Sequence, residues 1–299
     1  TITYMNFKRP RGTSDILPQD QPHWSHVYST ASKIAEQFGF GRIDTPTFEK
    51  TNLFQRGVGD ETDIVQKEMY SFEDHGGDSI TLRPEGTASV CRAYFENGLH
   101  NLPQPVRMFY MAPMFRYERP QAGRVRQHHQ FGCEIIGDSS PEVDAEIIEL
   151  GWKYILELGI KDVTLRLNNL GDPASRSDYL SDLEKYFTGV ANQLPQIDQI
   201  RLNRAPLRVL DSKNPRTQLL ADAAPRSVDY LTGETKEHWN SLLTVLENLK
   251  PNYPEFSYTI DHRLVRGLDY YNRTVFEYEP IGGTGQQTLL AGGRYDPLI

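Results

Sequence analysis

Three short segments of the chain place arginines beside carboxylates and tyrosines. Residues 115–119 read FRYER, and residues 127–134 read QHHQFGCE after a polar stretch. Residues 266–278 read RGLDYYNRTVFEY, and residues 291–296 read AGGRYD. A guanidinium group is always charged and matches phosphate oxygens in shape, so these arginines are candidates for binding a phosphate. Each segment also has a purely structural interpretation. Arg116 and Glu118 could be a charge pair on one face of a strand, Tyr270 and Tyr271 could be core aromatic residues, and the two glycines of AGGRYD could form a turn.

Composition and charge narrow the class of protein. The chain has 299 residues, of which 38% are hydrophobic and 24% charged, as in an ordinary globular protein with one large domain or a domain plus an insertion. Its net charge of −8 argues against binding nucleic acid by bulk charge, so any RNA contact needs a local patch. The arginine-rich stretch at residues 116–129 is the best candidate, although a solvated, charged hairpin loop has the same composition.

The sequence lacks the patterns typical of disulfide frameworks, zinc sites, membrane-spanning segments and two common phosphate-binding loops. Cys91 and Cys133 are too far apart for a disulfide framework or a zinc site, which fits a reducing cytoplasm. No apolar run approaches the roughly 20 residues that span a bilayer. Neither GxxxxGK[ST] nor GxGxxG is present, so a nucleotide would bind without those phosphate loops. We expect no resident metal site.

Hydrophobic spacing and turn residues predict the elements that position these segments. Strands pair as hairpins and meanders, not in a βαβ order, which predicts an α+β fold: an antiparallel sheet flanked by helices, with a mostly helical insertion. Pro46 indicates an edge strand or a bend. The predicted helices are 22–38, 84–97, 141–158, 182–187 and 234–249, and the predicted strands are 42–49, 68–74, 79–83, 106–118, 128–137, 163–168, 257–261, 274–279 and 288–291.

Together these segments resemble a known family. FRYER with QHHQFGCE is similar to motif 2 of the class II aminoacyl-tRNA synthetases, and the strings at residues 266–278 and 291–296 resemble the two histidyl-tRNA synthetase signatures. The resemblance implies two catalytic arginines, Arg116 and Arg266, on opposite sides of the ATP α-phosphate, where they stabilise the charge that builds at phosphorus. The ATP-binding residues that it implies are Arg116, Glu118, Arg124 and His128.

The resemblance also implies a histidine pocket. Glu85, Thr87 and Gln130 are expected to bind the substrate ammonium, and Tyr295 with Glu134 the imidazole, because a buried carboxylate penalises analogues that lack the N–H group. Near a helix N-terminus, Glu85 and Thr87 also suit capping without any ligand. The full set implied for histidine is Glu85, Gly86, Thr87, Gln130, Glu134, Arg266, Tyr270, Tyr271 and Tyr295.

Each of the two signatures carries an expectation of its own. Consecutive tyrosines on a strand point to opposite faces, so at most one of Tyr270 and Tyr271 is expected to reach the ligand directly. Gly292 and Gly293 in a strand suggest that the backbone approaches the ligand closely.

Domain organisation follows from the same resemblance. We expect the first part of the class II core at residues 1–170, with motif 1 near residues 40–49 as a dimer interface, a helical insertion at 171–255, and the histidine-specific core at 256–299. In the family, motif 3 and an anticodon-binding domain come later than Ile299. Without motif 3, we expect this chain by itself to bind ATP weakly and to be impaired.

The predicted function is that of a cytoplasmic, homodimeric histidine–tRNA ligase. It uses histidine, ATP with Mg²⁺, and histidine tRNA, and it contacts no membrane. Arg119, Gln121 and Arg126 are expected to contact the RNA, mainly through phosphates. The alternatives are the synthetase-like regulatory subunit of ATP phosphoribosyltransferase and a synthetase-like pseudoenzyme domain. The complete set of presumed ligands, with Arg266, argues against both.

Overall fold

The structure is a computed structural model in which the chain divides into two compact units, Thr1–Gly137 and Asp138–Ile299. Each unit contains its own helices and strands. The residues that the structure describes are 7–59, 62, 64–120, 124–282 and 288–299.

The first unit combines strands of two to ten residues with three α-helices within its described residues. The helices are α1 (Gln21–Gln37), α2 (Thr51–Val58) and α3 (Thr87–Glu96), with a π-helical turn at Ile64–Glu68 and a 3-10 turn at Leu99–Asn101. The strands are β1 (Gly41–Arg42), β2 (Phe48–Lys50), β3 (Tyr70–Glu73), β4 (Ser79–Leu82), β5 (Val106–Phe115) and β6 (Gln127–Ile136).

These strands form two three-stranded sheets. One has the order β1-β5-β6, with β1 parallel to β5 and β6 antiparallel to it. The other has the order β2-β4-β3 and is antiparallel throughout. The strand predicted at residues 42–49 is therefore divided at Pro46 between the two sheets, and each part lies at a sheet edge, as expected for a segment with a proline.

The buried guanidinium of Arg83 fastens the connection between β1 and β2. Its Nη1 donates to the carbonyl oxygens of Thr45 at 2.8 Å and Pro46 at 3.2 Å, and its Nε donates to that of Pro113 at 2.9 Å. These bonds hold the connection between β1 and β2 beside Pro113 of β5. Burial lowers the pKa of Arg83.

The second unit contains six α-helices within its described residues. They are α4 (Pro141–Glu157), α5 (Pro173–Gly189), α6 (Gln196–Arg204), α7 (Leu207–Leu210), α8 (Pro215–Asp222) and α9 (Gly233–Leu249), with 3-10 turns at Ala191–Gln193, Ser227–Tyr230 and Asp296–Leu298. Its strands are β7 (Val163–Asn169), β8 (Tyr258–Ile260), β9 (Asn272–Pro280) and β10 (Leu290–Arg294).

One sheet with the order β10-β9-β7-β8 organises this unit. Strands β7 and β8 are parallel, and the other neighbours are antiparallel. One core cluster packs α4 and α9 on β7 and β9, and includes Ile148, Leu242 and Tyr278. The Tyr278 hydroxyl is fully buried and donates to the carbonyl oxygen of Ile148 at 2.6 Å. A second cluster packs α5 to α8 around Tyr179, with Val275 of β9.

The predicted α+β class is confirmed, with one refinement. The sheets are mostly antiparallel, but β1–β5 and β7–β8 are parallel pairs. Between β7 and β8 the described chain is helical, and its assignment as an insertion at residues 171–255 stays a prediction. None of the helices in the described part of the chain is long and apolar enough to cross a membrane.

Candidate active site

One face of β6 carries three of the predicted ligand-binding side chains of the first unit. Successive side chains of a strand alternate between faces, so His128, Gln130 and Glu134 share a face of β6. Their partners across the β5–β6 ladder are Met114, Ala112 and Met108. The alternation therefore brings three sequence-predicted site residues together along one strand.

Tyr110 lies on the same face, and two glycines make room for its ring. A Cβ atom at Gly132 would lie 2.2 Å from Cζ of Tyr110, and one at Gly86 would lie 2.3 Å from the same atom. Neither position tolerates a side chain unless the tyrosine moves. Gly86 was predicted to contact histidine, and in the structure its backbone packs against Tyr110. Tyr110 could not be predicted as a site residue, because its contact depends on the β5–β6 register, which pairs Tyr110 with Gly132.

Glu85, Thr87 and Glu134 form a buried polar network. The carboxylate of Glu85 accepts from the backbone amides of Thr87 at 2.7 Å and Ala88 at 2.9 Å. The Thr87 hydroxyl donates to Oε1 of Glu134 at 2.7 Å, and the Tyr110 hydroxyl donates to the same oxygen at 3.4 Å. Glu85 thus satisfies amides at the start of α3, which is the capping role considered above. Two carboxylates in one buried network also give this face a negative character suited to a cation.

Arg116 lies just past the end of β5, beside this network. Its Nε donates to the carbonyl oxygen of Pro84 at 2.8 Å. Burial raises the pKa of Glu85, and the positive charge of Arg116 opposes that rise. Burial and the positive charge of Arg116 together lower the pKa of His128 to about 4. At neutral pH the imidazole of His128 is therefore uncharged and suited to stacking on a base.

The segment after β5 differs from the predicted strand. β5 ends at Phe115, so Arg116 and Glu118 are not a same-face pair on a strand. The carboxylate of Glu118 instead lies 3.3 Å from Nε of Arg124 in an ion pair. These are two of the four residues predicted to bind ATP, and the structure brings them together.

The arginines predicted to contact RNA have different environments. Arg119 is exposed. Arg126 packs its guanidinium 3.8 Å from the ring centroid of Tyr117. Gln121 lies outside the described residues. Of the two described residues that are predicted to contact RNA, Arg119 is therefore the one exposed to solvent.

In the second unit, Arg266 forms an ion pair with Glu277 of β9. Oε2 of Glu277 accepts from the Thr288 hydroxyl at 3.3 Å and lies 3.8 Å from Nη1 of Arg166. Burial raises the pKa of Glu277, and Arg266 and Arg166 oppose that rise. Nε of Arg266 is buried and has no hydrogen-bond partner among the described residues. That donor is suited to an oxygen of a ligand.

Three predicted tyrosines form an aromatic cluster in this unit. The ring centroids of Tyr270 and Tyr271 are 4.7 Å apart, and those of Tyr270 and Tyr295 are 6.0 Å apart. The expectation that Tyr270 and Tyr271 alternate on a strand is wrong, because β9 begins only at Asn272. Both tyrosines are buried, as the core alternative supposed.

Gly292 and Gly293 are required by packing within the chain. A Cβ atom at Gly292 would lie 2.7 Å from Cζ of Phe276, and one at Gly293 would lie 2.6 Å from the carbonyl oxygen of Thr274 and 2.9 Å from Cδ1 of Tyr271. These glycines were expected to let the backbone approach a ligand closely. In the structure, their close neighbours are Phe276, Thr274 and Tyr271 of the same chain.

Arg294 and Glu277 were not singled out from the sequence. Arg294 is buried, and its Nη2 donates to Asp144 of α4 at 2.7 Å, which attaches β10 to that helix. No spacing rule pairs Arg266 with Glu277, because the chain between them passes through a turn. Among the described residues, no group of three His, Cys, Asp or Glu side chains is arranged to hold a metal ion.

The architecture and these residues define the class of protein. The α+β fold, with a long hairpin that carries an arginine, histidines and a buried glutamate, is that of the class II aminoacyl-tRNA synthetases. A histidyl-tRNA synthetase family profile matches residues 12–172. The histidine–tRNA ligase of Dehalococcoides mccartyi strain CBDB1 is 50% identical over 293 residues, which are 98% of this chain and 69% of that protein. That of Streptococcus pyogenes serotype M28 is 47% identical, over 99% of this chain and 68% of that protein. The chain belongs to the histidyl-tRNA synthetase family.

Solved structures agree with this assignment. Apo S. aureus histidyl-tRNA synthetase superposes with a TM-score of 0.74 at 38% identity, over 98% of this chain and 67% of that chain. A Bacillus halodurans protein described as an ATP phosphoribosyltransferase regulatory subunit/histidyl-tRNA synthetase has a TM-score of 0.69 at 22% identity, over 99% of this chain and 78% of that chain. That second likeness shows a shared fold and no more.

Proposed function

We propose that this chain carries out the chemistry of a histidine–tRNA ligase. Histidine and ATP form histidyl-adenylate and pyrophosphate, and the 3′-terminal ribose hydroxyl of histidine tRNA then attacks the adenylate carbonyl and releases AMP. The observation that carries the proposal is the buried network of Glu85, Thr87 and Glu134 beside the guanidinium of Arg116. It offers carboxylates for a cationic amino acid and a fixed cation for a phosphate.

The first unit supplies the residues proposed for recognition. Glu85 and Thr87, with Gln130 on the same side of the β5–β6 hairpin, bind the ammonium group of histidine. Glu134 accepts from an imidazole N–H, and its fixed hydrogen bonds from Thr87 and Tyr110 hold it in position for that bond. An amino acid without that N–H leaves the buried carboxylate unpaired, which penalises its binding strongly.

The arginines supply the charge that activation needs. The histidine carboxylate is already ionised, so no general base is required when it attacks the α-phosphorus. Arg116 neutralises the phosphate oxygens as charge builds there, and Arg266 contributes a second guanidinium whose Nε has no hydrogen-bond partner in the described residues. Neutral His128 packs on the adenine, and Glu118 accepts from the adenine amino group. Mg²⁺ enters with ATP as part of the substrate.

The remaining partners follow from the same proposal. Arg119 contacts the RNA, through phosphates more than bases. Tyr270, Tyr271 and Tyr295 supply the aromatic wall of the amino-acid site in the second unit. We also propose that the protein acts in the cytoplasm as a homodimer.

Histidine-dependent ATP–pyrophosphate exchange tests the proposal. We expect exchange to require histidine and to be lost with Glu134→Gln, because the variant removes the charged acceptor. The matched control is Glu184→Gln, an exposed position on α5, which should leave the ratio of exchange with and without histidine unchanged. Exchange that is independent of histidine, or equally supported by lysine and arginine, would contradict the proposal.

A further inference from the structure

Arg126 has polar contacts with Arg116 and with Glu118, two residues further along the chain. Its carbonyl oxygen accepts from the backbone amide of Arg116 at 3.0 Å, and its Nε donates to the carbonyl oxygen of Glu118 at 3.3 Å. Its guanidinium also packs 3.8 Å from the centroid of the Tyr117 ring. One side chain and its backbone therefore contact three consecutive residues that contain the proposed α-phosphate and adenine ligands.

Arg126 is itself attached to the N-terminal segment. Its backbone amide donates to the carbonyl oxygen of Gly12 at 2.7 Å. Gly12 lies in a tight turn, in which the Thr13 amide donates to the Pro10 carbonyl oxygen at 3.2 Å. The φ of Gly12 is +83°, in the left-handed region that glycine adopts most readily.

Space as well as conformation requires a glycine at this turn. A Cβ atom on Gly12 would lie 2.8 Å from Cγ of Arg126, 3.0 Å from its Cδ and 3.0 Å from Cγ of Pro120. A methyl group there pushes against the stem of the arginine that contacts residues 116 to 118. The turn and Arg126 consequently cannot keep their present positions if residue 12 has a side chain.

Tyr117 is also fixed from its other side. Its backbone amide donates to the carbonyl oxygen of Glu68 at 2.7 Å, and its ring contacts that of Tyr70 with centroids 5.6 Å apart. The ring therefore provides a fixed surface on which the Arg126 guanidinium packs, a contact that gains from both cation–π attraction and the planar shape of the fork.

From these contacts we infer that Gly12 and Arg126 form a clamp that positions Arg116 and Glu118 for ATP. Gly12 fixes the Arg126 backbone, and Arg126 fixes the chain on which the two ATP ligands stand. Gly12 and Arg126 are positioning residues in this inference, which rests on the proposed function. Within the described residues, Gly12 contacts Arg126, and Arg126 contacts residues 116–118, which carry the proposed ATP ligands, so loss of the clamp should affect ATP more than histidine.

Gly12→Ala tests the clamp, with Gly77→Ala as a matched control. Gly77 has a φ of +87°, but nothing lies within 4 Å of a Cβ atom there. Both variants therefore place an alanine at a similar positive φ, and of the two only Gly12→Ala meets Arg126. We expect the KM for ATP in histidine-dependent exchange to rise about tenfold or more in Gly12→Ala, because small misplacements of binding groups cost this much or more. The KM for histidine should change less than about twofold, and both should stay near wild type in Gly77→Ala.

Hydrogen exchange provides a readout that does not need activity. In Gly12→Ala the amides of Arg116 and Arg126 should exchange faster, while the remaining β5–β6 ladder keeps its protection. Arg126→Lys, which keeps the cation but loses the planar fork, should fall between wild type and Arg126→Ala in KM for ATP. Equal KM values for ATP in Gly12→Ala and Gly77→Ala, or unchanged exchange at Arg116, would overturn the clamp. If the wild-type chain shows no histidine-dependent exchange, the proposed function fails, and the amide protection still decides the clamp.

Discussion

At the scale of single residues, the amino-acid site depends on a tyrosine that occupies space left by glycines. The Tyr110 ring fills the positions where side chains of Gly86 and Gly132 would stand, and its hydroxyl reaches Glu134. Tyr110 orients Glu134, the residue proposed to recognise the imidazole. Its ring can occupy this place because Gly86 and Gly132 have no side chains. A pocket of this kind is sensitive to single methyl groups, because protein interiors are close-packed.

Gly132→Ala should therefore damage histidine recognition. The added methyl group displaces the Tyr110 ring and removes its hydrogen bond to Glu134. We expect the KM for histidine to rise by about tenfold or more, with a smaller effect on the KM for ATP. Gly189→Ala is the control, because nothing lies within 4 Å of a Cβ atom at Gly189. If both variants bind histidine like wild type by calorimetry, Tyr110 has no positioning role.

His128 gives a pH dependence whose sign is fixed by its environment. Its pKa is about 4 in the folded chain, below the usual 6.5 because of burial and Arg116. Between these values the unfolded chain binds the proton first, so the folded state loses stability as pH falls from 6.5 towards 4. With screening of a partly exposed ring, we expect this to cost about 1 kcal/mol at pH 5.

Urea unfolding at pH 7.5 and pH 5.0 measures this effect. His128→Gln lacks the titrating ring, so it should lose less stability on acidification than wild type. The difference between the losses of stability in the two proteins cancels the contributions of other titrating groups. One of these is Glu85, whose raised pKa changes stability in the opposite direction. Identical losses for the two proteins would show that His128 titrates as it does in the unfolded chain.

At the scale of elements, α5 begins with a complete capping arrangement. The Asp172 carboxylate accepts from the Ser175 amide at 2.9 Å, and the Ser175 hydroxyl accepts from the Asp172 amide at 3.2 Å. Asp172 also accepts from the Thr235 hydroxyl, which joins the starts of α5 and α9. The hydrogen bonds from Thr235 and Ser175 lower the pKa of Asp172 to about 2. One carboxylate thus fixes the starts of two helices.

Asp172→Ala should lower the free energy of unfolding at pH 7 by about 1–2 kcal/mol, the usual loss when a capping side chain is removed. Because the folded pKa lies below the unfolded value, the stabilisation is present above about pH 4 and is lost as pH falls towards 2. The difference between wild type and variant should therefore shrink on acidification. Asp178→Ala, within the same helix, is the control. A difference that stays constant from pH 7 to pH 3 would contradict the assignment.

Elements with strong periodicity and clear turn residues were predictable, and those set by distant contacts were not. The β3–β4 hairpin, the ten-residue β5–β6 hairpin and α4 follow from local pattern, and the structure confirms them. The predicted strand at 274–279 is longer in the structure, where it is Asn272–Pro280, and the one at 288–291 is shifted to Leu290–Arg294, with a register irregularity between Gly293 and Arg294. The site shows the same division. The resemblance of the β6 segment to a known motif named His128, Gln130 and Glu134, whereas the contacts of Tyr110 and Glu277 depend on strand register and on a turn between distant residues.

At the scale of the whole molecule, the second unit builds two cores from one strand. Val275 of β9 belongs to the cluster formed with α5 to α8, while Phe276 and Tyr278 belong to the cluster formed with α4 and α9. Tyr270 and Tyr271 belong to the first of these clusters. The proposed amino-acid site in this unit therefore rests directly on the packing of its helical region, so core substitutions near Tyr179 should reach the site.

The negative charge of the whole chain sets how it can bind RNA. With a net charge of −8, the chain has to bind RNA through a local patch of arginines, so we expect the plot of log affinity against log salt to have a slope set by the phosphates that this patch contacts. Among the arginines predicted to contact RNA, Arg119 is exposed, while Arg126 packs on Tyr117.

Arg119→Ala should weaken binding of histidine tRNA and reduce the magnitude of the salt slope by about 1. It should leave ATP–pyrophosphate exchange unchanged, because it removes no proposed ATP ligand. Lys161→Ala, another exposed cation, controls for net charge. Equal slopes for these two variants would show that Arg119 makes no phosphate contact.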